Sequence, residues 1–192
     1  MSPRVGLDYG MIVRAAATIA DESGLSAVTL ASLAQKLNVR PPSLYNHVDG
    51  LPGVMAMLRL HGLQQLLQTI EAALQRNNEE EGEALLQVAE AYAAFALQHP
   101  GLYEATQILP DAENPEAAEV SKRIVELVSR LIRRYLPVSV DEEEVIHAVR
   151  GFRSLLHGFT SLSNTGGFGL PYSTNESFQY MMRAYLNGIN YT

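Results

Sequence analysis

The chain has 192 residues, 47% hydrophobic and 18% charged, with a formal net charge of −7 and no cysteine. That length suits one domain or two modest ones and needs neither disulfides nor a structural metal to fold, and zero cysteine excludes thiol chemistry and every Cys-ligated zinc or iron–sulfur site. No run approaches the about 20 apolar residues of a membrane span, and the N-terminus lacks the apolar stretch of a signal peptide, so a cytoplasmic protein with no membrane partner is expected.

The charge is unevenly spread. Residues 1–60 carry five basic and four acidic groups, whereas residues 61–192 carry nine basic and seventeen acidic ones. The asymmetry suggests two modules with different partners.

Helical periodicity dominates in chain order. Asp8 can cap a first helix that places Ile12, Ala15, Ala16 and Ile19 on one face and ends at Gly24. Thr29 can cap a short second helix with a stripe of Leu30, Leu33, Ala34 and Leu37. A third short helix begins near Pro41, since proline suits a first turn whose N–H groups have no intrahelical partner. A long helix follows Asp49-Gly50 and runs to about Gln75, with Gly62 as a candidate bend. After a charged break over Asn77–Gly82, helices are expected at about 82–98, 101–108, 116–136, 141–163 and 175–189. No strand-length alternation is present, so the fold class is all-α with about nine helices.

The first three helices have the form of a helix-turn-helix. Its tight turn needs left-handed backbone, which Asn38 tolerates. The second helix of such a motif enters the major groove with its N-terminal residues leading, here Arg40, Pro41, Pro42 and Ser43. Arg40 can pair with a guanine edge or neutralise a phosphate; the sequence does not choose. Tyr45, Asn46 and His47 suit phosphate oxygens, Lys36 adds a cation, and Thr29 opens a helix N-terminus that favours an anion.

Met11 to Val48, MIVRAAATIADESGLSAVTLASLAQKLNVRPPSLYNHV, resembles the N-terminal DNA-binding domain of TetR-type transcriptional regulators. The shared pattern is an Ala-rich first helix, Gly24 followed by an apolar residue, Thr29 then Leu33-Ala34, and Leu44-Tyr45-x-His47-Val48. The resemblance implies that residues 29 to 47 contact double-stranded DNA and that Tyr45 and His47 occupy phosphate-contacting positions. Leu51 stands where the family usually has Lys, Asn38 replaces the usual turn Gly, and Arg4 alone supplies a basic N-terminal arm. Modest non-specific affinity and a shallow salt dependence are therefore expected.

From about residue 82 the chain resembles the WHG-like C-terminal domain of a subset of these regulators. His99-Pro100-Gly101-Leu102-Tyr103, Arg150 to Phe159 and Gly166-Gly167-Phe168 carry that likeness, with Leu156 in the place of the Trp. The helices at 141–163 and 175–189 carry apolar residues on more than one face, as helices buried on two sides do. Leu155, Phe159, Leu162, Phe178, Met181, Met182 and Tyr185 are the expected homodimer interface. Met55, His61, Tyr92, Phe95, Tyr103, Phe152 and His157 are candidate effector-binding residues, although each alone reads better as core. The acidity of this region favours an apolar, aromatic or cationic effector over an anion.

No metal or catalytic constellation stands out. His147 and His157 are too far apart on one helix to share a metal, and Asp141 to Glu144 reads as a helix start. Gly166-Gly167-Phe168-Gly169 follows a helix instead of leaving a strand, so it is no phosphate loop. No nucleophile sits in an activating motif. The sequence thus predicts a helix-turn-helix DNA-binding domain at 1–50 and an effector-binding and dimerisation domain at 51–192, with 51–75 as connecting helix. The expected function is a dimeric repressor released from a near-palindromic operator by a small-molecule effector, with no cofactor. A helical small-molecule-binding or adaptor protein without DNA binding is the rival.

Overall fold

The computed structural model describes residues 7–75, 81–108 and 114–190. Among them are eight α-helices, two 3-10 helices and no strand, the expected all-α class. In chain order they are α1 (Tyr9–Ser23), η1 (Leu25–Ala27), α2 (Leu30–Lys36), η2 (Pro41–Asn46), α3 (Gly50–Leu74), α4 (Glu81–Gln98), α5 (Pro100–Gln107), α6 (Pro115–Tyr135), α7 (Glu142–Asn164) and α8 (Thr174–Ile189). Most of the charged break expected at Asn77–Gly82 lies outside the described residues, and α4 already begins within it. Arg4 also lies outside them.

The residues form two compact units. The first comprises the chain up to Gln65 together with His99–Ala118, and the second comprises Leu66–Gln98 and the chain from Glu119 onward. Compactness thus does not follow chain order, because α5 belongs with the chain's first helices.

In the first unit, the Asp8 carboxylate accepts from the Met11 N–H at 2.7 Å and opens α1, which buries Ile12, Val13, Ala16, Ile19 and Ala20. Gly24, at φ +87°, ends it in backbone that other residues resist. Helix α5 packs on α1 and η1, and the contact is close enough to exclude any side chain at Gly101. A Cβ there would lie 2.0 Å from the Ala20 carbonyl oxygen. Gly62 does the same for α3: a Cβ would meet Thr106 Cγ2 at 2.7 Å and the Leu102 carbonyl at 2.9 Å. Helix α3 continues unbroken through Gly62, and close approach to α5 accounts for the missing side chain.

Both ends of α5 are also met by opposite charge. Asp21, at the end of α1, accepts from the Leu102 N–H at 2.8 Å and pairs with His99 Nδ1 at 3.0 Å. At the other end the buried Arg59 of α3 donates to the carbonyls of Thr106 and Ile108. An anion at a helix N-terminus and a cation at its C-terminus both complement the dipole and satisfy terminal groups that have no intrahelical partner.

The second unit is built on mutual packing of α4, α7 and α8. Helix α7 opens on a reciprocal cap, with Glu144 N–H donating to Asp141 and Asp141 N–H to Glu144. It buries Val145, Ala148, Phe152, Leu156 and Thr160, one stripe at helical spacing. Helix α8 answers with Phe178, Met182 and Leu186. Gly151 leaves room for Tyr185, whose hydroxyl donates to the Ala148 carbonyl and would lie 2.8 Å from a Cβ at Gly151. No described helix is long and apolar enough to cross a membrane.

Replacing Gly101 by Ala forces α1 and α5 apart. The expected cost is about 3 kcal/mol or more, beyond ordinary overpacking because the clash is with backbone, and urea unfolding followed by circular dichroism measures it. His61 supplies a pH signature. Burial first, then the positive charges of Arg14 and His99, push its pKa down. The unfolded state therefore takes up the His61 proton more readily, so this contribution to stability is held above the unfolded pKa of about 6.5 and is lost as pH falls below it. His61→Gln should flatten the decline in melting temperature between about pH 7 and 5.

Candidate nucleic-acid interface

The turn between α2 and η2 is fixed by chemistry local to it. Thr29 caps α2, its hydroxyl accepting from the Ser32 N–H at 3.0 Å while Ser32 Oγ accepts from the Thr29 N–H at 2.9 Å. At the other end Val39 N–H reaches the Ala34 carbonyl and Asn38 N–H the Gln35 carbonyl, at 3.0 and 3.1 Å. This bond pair is a Schellman ending, which puts its left-handed residue at Asn38, with φ +53°. Asparagine thus does here what glycine does in many such turns.

Arg40 follows in extended backbone and Pro41 and Pro42 occupy the first turn of η2. The reading helix expected from Pro41 is a single 3-10 segment, closed by Ser43 N–H to the Arg40 carbonyl and His47 N–H to the Leu44 carbonyl, both 2.9 Å. Leu44 is completely buried and Val48 nearly so, and together they anchor the segment. Around Leu44 the side chains of Arg40, Pro41, Pro42, Tyr45, Asn46 and His47 are exposed and Ser43 is half-buried. Tyr45 is 61% exposed, an unusual placement for a tyrosine with no partner surface.

The electrostatics of this segment differ from those of the whole chain. Residues 25–48 contain Lys36, Arg40 and His47 and no carboxylate. Lys36 pairs with Glu22 at 3.2 Å, but both ends are exposed, so the pair is weak and Lys36 can exchange it for a phosphate. Arg40 makes no ion pair among the described residues. Leu51 is half-buried in α3 and offers no phosphate contact.

The candidate effector residues fall in both units. Met55 and His61, half-buried on α3, and the buried Tyr103 of α5 belong to the first; His61 Nε2 lies 2.9 Å from the Gln65 amide nitrogen. Tyr92 and Phe95 of α4, Phe152 and the half-buried His157 of α7 belong to the second, and the first three are core. The candidate dimer residues divide by exposure. Phe178 and Met182 are 4% and 0% exposed, so they support α8 from beneath and have no surface left for a partner chain. Leu155, Phe159, Met181 and Tyr185 are half-buried, and Leu162 is 48% exposed. Tyr180, which the sequence pattern did not single out, is 78% exposed on α8.

Among the described residues no group of three or more His, Cys, Asp or Glu side chains could hold a metal. Sequence reasoning also missed the three residues that secure α5. Gly101 stands in the sequence only as part of the His99-Pro100-Gly101-Leu102-Tyr103 likeness, and Asp21 and Arg59 only among the charged groups.

Residues 85–185 match the family described as the C-terminal domain of tetracyclin repressor-like proteins. The chain is 43% identical over 190 residues to YobS, an HTH-type transcriptional regulator of Bacillus subtilis strain 168, covering 98% of this chain and 96% of that one. It is 32% identical over 159 residues to Rv0681, an HTH-type transcriptional regulator of Mycobacterium tuberculosis H37Rv, covering 81% of this chain and 69% of that one. Among solved structures, a Streptomyces coelicolor TetR regulator, SCO7222, superposes with a TM-score of 0.71 at 20% identity, covering 96% and 98% of the two chains. BioQ bound to its double-stranded DNA operator superposes with a TM-score of 0.71 at 21% identity, covering 97% and 99%. With a relative at this identity over nearly the whole length and a helix-turn-helix at its start, the chain belongs to the TetR family of transcriptional regulators.

Proposed function

We propose that the protein is a homodimeric repressor that binds a near-palindromic operator and leaves it when a small-molecule effector occupies the second unit. The observation that carries the reading is the exposed surface of residues 29–47, a stretch with no carboxylate of its own, displayed around the buried Leu33 and Leu44. Such a surface suits a polyanion even on a chain whose net charge is −7. The superposition with an operator-bound regulator is consistent with the same use of η2.

In this reading η2 enters the major groove, with Arg40 and Ser43 leading. Tyr45 and His47 hold phosphates, and Lys36 trades Glu22 for another. A homodimer places two such readers about one helical turn apart, which demands two half-sites related by a two-fold axis. The partly exposed apolar residues of α7 and α8, among them Leu155, Leu162 and Met181, would meet their symmetry mates. Effector binding would favour a dimer state whose readers no longer match successive grooves, because a ligand shifts an equilibrium by its differential affinity for the two states. No catalytic step is part of this function.

The test is binding to DNA upstream of the protein's own gene, by footprinting and by fluorescence anisotropy at several salt concentrations. Two protected half-sites are expected, and Arg40→Ala and Tyr45→Ala should each weaken binding about tenfold. If Arg40 reads guanine, the Arg40→Ala protein also loses preference at one base pair. If it holds a phosphate, affinity falls equally for all sequences and the salt slope drops by about one. No protected site, together with indifference to both substitutions, would overturn the DNA-binding reading in favour of a helical ligand-binding protein.

A further inference from the structure

The second unit contains a hollow of about 530 Å³ between α4, the end of α7, the loop after it and the start of α8. None of the side chains considered for effector binding lines it. Its walls are mainly aromatic and aliphatic: Leu97, Phe159, Phe168 and Phe178. The Phe159 ring lies 4.9 Å from that of Phe168 and 5.0 Å from that of Phe178, at tilts of 36° and 60°. Phe178 is buried, but Phe159 is half-buried and Phe168 exposed, so ring surface remains open to the hollow.

One lining side chain is acidic: the exposed Glu90 of α4. Its Oε1 accepts from the Gln179 amide, which orients the carboxylate and leaves Oε2 and the remaining lone pairs for another donor. The positive end of α8, which also borders the hollow, is already answered. Ser173 Oγ accepts from the Glu176 N–H at 3.2 Å, and Glu176 places a carboxylate in the first turn. The hollow therefore pairs aromatic rings with one negative charge.

We propose that this hollow binds an organic cation with an aromatic or alkyl body, the phenylalanines enclosing the body and Glu90 facing the charge. The proposal rests on the reading of the second unit as a sensor and names its ligand class. The volume falls within the roughly 300–1,000 Å³ usual for small-ligand sites. Ring faces attract a cation through their quadrupole, and the carboxylate adds a charge-assisted bond. An anion would meet Glu90 with no lining cation to offset it. A second copy of the chain closing over the hollow would have to desolvate that same carboxylate.

The test titrates the full-length protein with phenylbutyltrimethylammonium, and with its uncharged isostere bearing CMe3 in place of NMe3+, by calorimetry. The cation should bind at least about tenfold more tightly than the isostere, and Glu90→Gln should erase that preference. Ala94→Arg puts a guanidinium into the hollow from an exposed position and should abolish binding of the cation without lowering the melting temperature. Equal affinities, no binding, or a preference that survives Glu90→Gln would overturn the proposal. So would failure of the probe to bind combined with an Ala94→Arg protein that sediments as monomer where the parent is dimeric, because the hollow then belongs to a second copy. Release of operator DNA by the probe is read separately. Glu90-dependent binding that leaves the operator complex intact supports the site and overturns the sensor reading. Release by a different ligand, with no Glu90-dependent binding of the probe, does the reverse.

Discussion

The first unit depends on the backbone-to-backbone approach of α1 and α5 at Ala20 and Gly101. Helix α1 braces the helix-turn-helix, and its inner face must be covered by something rigid for η2 to be held in one orientation. An eight-residue helix such as α5 is too short to be stable alone. It is held by geometry and charge together: glycines at its contacts with α1 and α3, the Asp21 carboxylate at its N-terminus and the Arg59 guanidinium at its C-terminus. The Arg59 contact is the more demanding, since a buried cation is tolerated only where its hydrogen bonds are satisfied. The carbonyls of Thr106 and Ile108 accept from its Nη1, and the arginine in turn answers carbonyls that a helix end leaves without intrahelical donors.

Function in this protein follows local, not total, charge. The chain is acidic, yet the stretch from Leu25 to Val48 lacks any carboxylate. Over a Debye length of about 10 Å at 0.1 M salt, a phosphate at the reader surface feels nearby groups most, here Lys36, Arg40 and the α2 N-terminus, with Glu22 beside Lys36. An acidic remainder is expected to lower affinity for unrelated DNA and to leave discrimination to geometry. In the hollow proposed as a ligand site the sign is opposite: a single carboxylate lies among phenylalanines.

Much of this was legible because it is local. Capping by Asp8, Thr29 and Asp141, the left-handed Asn38 and the proline start of η2 all depend on residues within a few positions of one another. The helix boundaries after residue 80 follow from prolines and glycines for the same reason. What was not legible is long-range. Gly62 reads as a bend from sequence because the helix that touches it, α5, is some forty residues away. Phe178 and Met182 carry the same apolar signal as Met181, and the packing of α4, α7 and α8 decides which of them faces inward. The hollow beside Glu90 is assembled from four segments, so no spacing rule could reveal it.

Residues 29–47 are the proposed DNA-reading surface. Hydrogen exchange of the whole protein, free and bound to its operator duplex, tests it most directly. Slowed exchange on DNA binding is expected in the α2 N-terminus and from Asn38 through Val48. Unchanged exchange across that stretch, with protection appearing elsewhere in the chain, would contradict it.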